Sequence, residues 1–289
     1  LAHRQQLGIR MAVGLGNAVD VDAADVIEYL TDDADTRMIG LHLEGVAEGR
    51  RLFDVIARAT AIKPVIVLPV GRAQVADFAQ SHTGNLMGQH AVTVAALRQA
   101  GAIVVDSTQS LVDAAAGFLG GRIAPKADPG VAIVTGQAGP GLIILDALCS
   151  AGVNVPSLAK ETVAEISKHL PPLTYLQNPI DTGRPSPVFA DVMLAAGRDP
   201  SIDAIVTFVL DEPAAIDPLA VFERARAEIR QPLVFATLGL EGSADVTQAK
   251  LQARNIPTLL SPERGATAVH ALVEDSRARH RRKSATLVP

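Results

Sequence analysis

The sequence predicts an α/β protein of two domains, each a mostly parallel sheet coated by helices. Three observations carry this. Short apolar runs of four to six residues recur without polar alternation, as strands covered on both faces do. Helix-length segments with one apolar face separate them. The composition fits: 48 % of the residues are hydrophobic but only 3 % aromatic, with no Trp, so the cores must be built from Ala, Val, Ile and Leu. With 289 residues and 23 Gly and 18 Pro to make turns, there is material for two ordinary domains.

In chain order, the first half offers strands at residues 11–16, 38–43, 64–69 and 102–106. Helices are expected at 22–30, 48–59, 89–99 and 110–118. Asp22 is placed to cap the first helix with Asp25 three residues on, and Val26 and Leu30 share a face. The segment "GRIAPKADPG" reads as the domain boundary. Beyond it a strand spans 131–135 and a helix starts at Pro140. Ala159, Val163, Ile166 and Leu170 form a helical stripe stopped by Pro171 and Pro172. Ser186-Pro187 and Ser261-Pro262 each read as a cap followed by Pro at the first helical position. Strands at 202–210, 232–236 and 257–260 complete the second sheet, and the last helix is expected to end near Asp275. The domains are thus 1–125 and 126–275, with 276–289 left as a basic tail or linker.

Composition also excludes function classes. The charged fraction of 20 % and the apolar content argue against disorder, and one Cys argues against a disulfide scaffold. The apolar stretches are interrupted by Gly and Pro and fall short of the roughly 20 residues that span a bilayer. No signal-peptide pattern opens the sequence, so no membrane partner is expected and the cytoplasm is the default location. Leu1 in place of Met is what a processed chain or a piece of a longer protein would show. The net charge is −5, and setting aside the five basic residues of 277–283 leaves −10 on the rest, a poor nucleic-acid surface.

Three segments stand after strands, where open α/β sheets bind ligands. "GLHLEGV" carries Glu44, "QSHTGNLMG" carries His82, and "VTGQAGPG" is a glycine-rich turn into a helix. Glu44 reads equally as a solvated carboxylate, His82 as a loop histidine, and the glycines as a tight turn. Taken together they form a coherent site. The turn from Gly136 to Gly141 frees backbone amides at a helix start, which suits an anion, and it matches neither a Walker A loop nor the dinucleotide fingerprint. A histidine nucleophile needs one neutral nitrogen free and a carboxylate such as Glu44 to orient the other. His42 is read as a core or surface histidine on the strand face opposite Glu44, and His90 as structural or solvated. Cys149 is read as packing on an apolar helix face. Seven scattered His and one Cys make no metal-binding spacing.

The ordered set "GLGNAVDVDAADVIEYLTDDADTRMIGLHLEGV", "KPVIVLPVGR", "SHTGNLMG", "VAIVTGQAGPG", "NPIDTG" and "IPTLLSPERGATAVHAL" resembles the NDP-forming acyl-CoA synthetases, relatives of succinyl-CoA synthetase. The resemblance implies two flavodoxin-like three-layer domains. It implies that His82 is the carrier phosphohistidine, with Glu44 its carboxylate partner and Ser81, Thr83 and Gly84 shaping the loop. It places Gly136, Gly139, Pro140 and Gly141 at the phosphate. The implied substrates are coenzyme A and ATP/ADP, with Mg²⁺ accompanying the nucleotide. The implied partners are a CoA-binding domain and an ATP-grasp domain or subunit, in a homo- or hetero-oligomer. Ala138 replaces the first of two glycines that usually precede Pro in the family turn. The segments corresponding to a CoA-binding domain, an ATP-grasp module and the phosphate loop before Leu1 are not in the sequence. The chain is therefore expected to be one portion of a larger synthetase. Competing readings are a regulatory module of a protein acetyltransferase and a non-catalytic assembly domain.

Overall fold

A computed structural model describes residues 1–3, 5–46, 48–71, 90–212, 214–240 and 242–286. The first domain runs α1 (Ala23–Asp32), β1 (Ile39–Leu43), α2 (Gly49–Ile62), β2 (Val65–Pro69), α3 (His90–Gln99), β3 (Ile103–Val104) and α4 (Thr108–Gly117). Its strands form a parallel sheet in the order β1-β2-β3. The second domain runs β4 (Val131–Thr135), α5 (Ala138–Ser150), α6 (Lys160–Ile166), β5 (Ile180–Asp181), α7 (Phe189–Gly197), β6 (Ala204–Leu210), α8 (Pro218–Glu228), β7 (Leu233–Leu238), α9 (Ser243–Gln252), β8 (Thr258–Leu259) and α10 (Pro262–Thr286). Its five strands are parallel in the order β5-β4-β6-β7-β8. Counted within the domain this is 2-1-3-4-5, the flavodoxin-like order, with its switch point between β4 and β6.

The apolar runs become strands because both faces are covered. Every residue of β2 and β4 is buried. The Asp22 cap forms as expected: its carboxylate accepts from the Asp25 amide at 3.0 Å, and Asp25 accepts from the Asp22 amide at 2.9 Å. Ser261 caps α10 by accepting from the Arg264 amide at 3.2 Å. Four expectations need correction. Residues 11–16 form no strand; Met11 and Val13 are exposed, and the run, broken by Gly14 and Gly16, has no strand partner among the described residues. Helix α7 starts at Phe189 after Val188, with no side-chain cap from Ser186. Helix α5 starts at Ala138, two residues before Pro140, because Pro is tolerated throughout a first turn.

The last correction is the largest. Helix α10 does not end near Asp275 but runs to Thr286, so the basic segment is a helix packed on the first domain rather than a solvated tail. One apolar cluster joins the domains: Ile66, Ile103 and Phe118 pack with Val131, Ile144, Val206, Val269 and Leu272. Gly117 of α4 lies so close to α10 that a Cβ there would sit 2.7 Å from the Ala268 carbonyl oxygen. Buried Asp113 accepts a forked pair of bonds from Arg264 at 2.8 and 3.1 Å. Asp275, 2 % exposed, accepts from Arg122 and from Arg279 at 2.9 Å, while Arg282 donates to the Ala57 and Ala100 carbonyls.

These contacts fix the direction of α10. Its early residues Thr267 and His270 line one cavity with Pro69, Val105 and Asp106, at the carboxyl ends of β2 and β3. Its late residue Arg282 reaches Ala100, before β3 begins. On the second sheet Gly265 packs on Ala236 in mid-strand, whereas Arg277 reaches Asp128, ahead of β4. The helix is antiparallel to both sheets, so the carboxyl ends of both open at the same end of the molecule.

Candidate functional site

At that end β4 finishes on Thr135 and turns through Gly136 and Gln137 into α5. Gly136 continues the sheet by donating to the Phe208 carbonyl at 2.8 Å. A Cβ at Gly136 would lie 3.0 Å from Val209 Cγ1 and 3.3 Å from the Pro185 nitrogen. One at Gly141 would lie 2.7 Å from Thr135 Cγ2, so the chain needs glycine there to pass over the threonine. Gly139 meets nothing within 4 Å and faces open space. Gln137, at the N-cap, makes no side-chain cap bond; its Oε1 instead accepts from the Leu210 amide at 3.3 Å across the switch point. The first-turn amides of Ala138 and Gly139 therefore carry no side-chain cap, and Pro140 has none to offer. This is the arrangement that receives an anion at a helix start.

Glu44 follows β1 directly and is half exposed, with Oε1 3.6 Å from His42 Nδ1. Residues two apart on a strand share a face, so His42 stands beside Glu44 and not on the opposite face. The pair is solvated on both sides, and its attraction is weak. His82, Ser81, Thr83 and Gly84 lie outside the described residues. What the structure brings to one end is therefore Glu44, after the first sheet, and the turn of Gly136, Gly139, Pro140 and Gly141, after the second.

Between β2, β3, α3 and α10 is a cavity of about 640 Å³ lined by His90, Arg98, Asp106, Ser110 and His270 among others. His90 opens α3 on its wall. Burial holds His270 below the ordinary imidazole value; Glu274 opposes this, and Arg277 and Arg98 reinforce it. Cys149 is exposed, contrary to the packing role expected of it: α5 buries Gly141, Ile144 and Leu148, and Cys149 falls outside that stripe. No group of three or more His, Cys, Asp or Glu among the described residues is arranged to hold a metal ion. Among the same residues, no helix is long and apolar enough to cross a membrane.

Sequence reasoning passed over two residues that hold the turn. Thr135 Oγ1 donates to the Gln137 carbonyl at 2.6 Å and accepts from the Gln137 amide at 3.1 Å. Thr182, on the loop after β5, donates from its amide to the Thr135 carbonyl at 2.8 Å. The signal was present: a hydroxyl residue immediately before the glycine turn, and a polar "DTGRP" following a short apolar pair.

The sheet order, the turn at the switch point without a side-chain cap and the shared open end define a two-domain, flavodoxin-like α/β protein. Residues 1–118 match the succinyl-CoA ligase like flavodoxin domain, and residues 131–256 the ligase-CoA domain. The chain belongs to the NDP-forming acyl-CoA synthetases. It is 30 % identical over 95 % of its length to the alpha subunit of the ADP-forming acetate–CoA ligase II of Pyrococcus furiosus, of which it covers 61 %. Identity to the alpha subunit of the organism's ligase I is 31 % over 96 % of the chain and 62 % of that subunit. In structure it resembles the dinucleotide forming acetyl-coenzyme A synthetase 1 of Ca. Korarchaeum cryptofilum, solved in complex with phosphate and ADP. The TM-score is 0.89 and the identity 28 %, covering 100 % of this chain and 63 % of that one. The chain thus spans about three fifths of the length of these relatives.

Proposed function

We propose that the chain is the phosphohistidine-carrying portion of an NDP-forming acyl-CoA synthetase, which joins a carboxylic acid to coenzyme A as ATP becomes ADP and phosphate. The observation that carries this reading is the turn at Ala138 and Gly139, whose amides have no side-chain cap and which opens at the same end of the molecule as Glu44. The relatives named as ADP-forming acetate–CoA ligases support it.

In this reading an imidazole nitrogen of His82 attacks the terminal phosphorus of ATP, and ADP departs. A carboxylate oxygen of the acid then takes the phosphoryl group, breaking the N–P bond to give an acyl phosphate. The coenzyme A thiol attacks the acyl carbon and phosphate leaves. Glu44 accepts from the other imidazole nitrogen and stabilises the ring as charge changes; a carboxylate has acceptor sites enough to keep His42 as well. Ser81, Thr83 and Gly84 shape the histidine loop. The amides after Gly136, with Gly139, Pro140 and Gly141, supply dipoles where negative charge gathers. The first unit is residues 1–125 and the second starts at residue 126.

In this reading Mg²⁺ accompanies the nucleotide in the complete enzyme, and no step of this chain runs through it. Coenzyme A and nucleotide are held largely by a CoA-binding domain and an ATP-grasp domain or subunit. In this reading the enzyme works in the cytoplasm. In the complete enzyme His82→Asn should abolish acyl-CoA formation. Glu44→Gln should lower kcat about 10²-fold or more with little change in the KM for coenzyme A, because the interaction belongs to phosphoryl transfer. Full turnover by His82→Asn refutes the reading; a raised KM for coenzyme A at unchanged kcat makes Glu44 a binding residue instead.

A further inference from the structure

We propose that Thr135 is the positioning residue of the glycine turn: its hydroxyl holds the α5 amides in the attitude that receives the phosphoryl group. The inference rests on the reading of the function given above and adds the residue that sets the geometry of its phosphate site.

Thr135 is 1 % exposed and is a hub with three spokes. Its hydroxyl pinches the turn, bonding both the carbonyl and the amide of Gln137 at 2.6 and 3.1 Å. Its carbonyl accepts from the Thr182 amide at 2.8 Å and lies 3.2 Å from the Thr182 hydroxyl, tying the loop after β5 to the end of β4. Its methyl lies beneath α5, where a Cβ on Gly141 would come within 2.7 Å. Among the described residues it is the one side chain hydrogen-bonded to the backbone of residues 136–139. An ordinary helix start would be held by its own N-cap side chain, but Gln137 is turned away to the Leu210 amide. Orientation of the uncapped amides is thereby handed to a buried residue two positions earlier. Such an arrangement leaves the front of the turn clear for a ligand while its back is fixed. Valine has the shape of threonine without the hydroxyl, and serine has the hydroxyl without the methyl, so the two substitutions separate bonding from packing.

The test is steady-state kinetics of the complete enzyme in the direction that consumes acyl-CoA, ADP and inorganic phosphate, with each KM measured separately. Thr135→Val should lower kcat/KM for phosphate about 30-fold or more, because a small misplacement of catalytic dipoles costs up to about 10²-fold. The KM for coenzyme A, measured in the reverse direction, should stay within about twofold, and Thr135→Ser should recover phosphate use to within about fivefold of wild type. Equal behaviour of the valine and serine variants, or a parallel rise in every KM, overturns the proposal. A second measurement does not depend on activity. Amide hydrogen exchange at residues 137–139 should quicken about tenfold in Thr135→Val and stay near wild type in Thr135→Ser; unchanged exchange in Thr135→Val also overturns it. A wild-type enzyme whose turnover ignores inorganic phosphate would refute the functional reading, and the exchange result would still decide whether Thr135 fixes the turn.

Discussion

At the start of α1, Asp25 accepts a hydrogen bond from Arg51 and another from the Asp22 amide, and these hold its pKa at about 2, below the usual carboxylate value. For Asp199 burial works in the opposite direction. Bonds from the Ser201 hydroxyl and amide and from the Ala159 amide, at 2.6, 2.9 and 2.8 Å, outweigh it and leave the net shift downward. Both groups are depressed in the folded chain. Their stabilisation is complete above the unfolded carboxylate pKa and drains away as pH falls through the folded values. Between pH 7 and about 5 urea midpoints should decline as the unfolded state takes up the proton that burial keeps off His270, and the loss of the Asp25 and Asp199 contributions should add a further fall below about pH 4. Asp25→Asn should flatten part of that fall; an unchanged acid limb would show that Asp25 is not coupled to folding. The Asp22–Asp25 box was legible because its partners are three residues apart. Asp199 was not, since Ala159 stands forty residues away and no local pattern announces it. The His42–Glu44 pair was misread although the period of two on a strand places both on one face.

The amphipathic pattern revealed most helices, but not α9, whose inward face carries amide side chains. Helix α9 turns Gln248 and Gln252 inward, each 4 % exposed or less, to donate to the Thr258 carbonyl at 2.7 and 3.1 Å. A scan for apolar spacing sees only a polar segment there. Helix α8 did carry a signal, since Asp217 accepts from the Leu219 amide at 3.0 Å and Pro218 opens the helix. At residues 11–16 the error ran the other way: apolar content implied a strand, but a strand exists only through a hydrogen-bonded neighbour. The contact of α4 with α10 gives a prediction at this scale. Gly117→Ala would press a methyl against the Ala268 carbonyl and should destabilise the chain by about 1–3 kcal/mol. Gly139→Ala meets open space and should leave the melting temperature nearly unchanged. Equal melting shifts for the two variants would contradict the close approach of the helices.

Across the whole molecule, α10 makes the two domains one packing unit and sets their open ends on the same side. The Arg-rich segment 277–283 looked like a tail because its basic run hides which residues face inward. Ser276 and Ala278 are buried, Arg277 reaches across to Asp128 and the Gly152 carbonyl, and Arg279 bonds Asp275 on its own helix and the Ile123 carbonyl beyond it. Removing the buried carboxylate strands two guanidinium groups, so Asp275→Ala should cost about 3–5 kcal/mol. Chemical denaturation checks this; a loss under about 1 kcal/mol would mean that the Asp275 ion pairs add little to the docking of the helix. The sequence motifs placed both halves of the candidate site after strands, but only the direction of α10 brings those strand ends together, and that direction depends on contacts between residues more than a hundred positions apart. In the proposed function the chain carries its phosphoryl group on His82. The most direct measurement is to incubate the complete enzyme with ATP, isolate the phosphoenzyme and locate the phosphoryl group by peptide mass spectrometry. An acid-labile, base-stable phosphate on His82, absent from His82→Asn, is expected; a phosphate on another residue, with turnover intact in His82→Asn, would rule out the phosphohistidine.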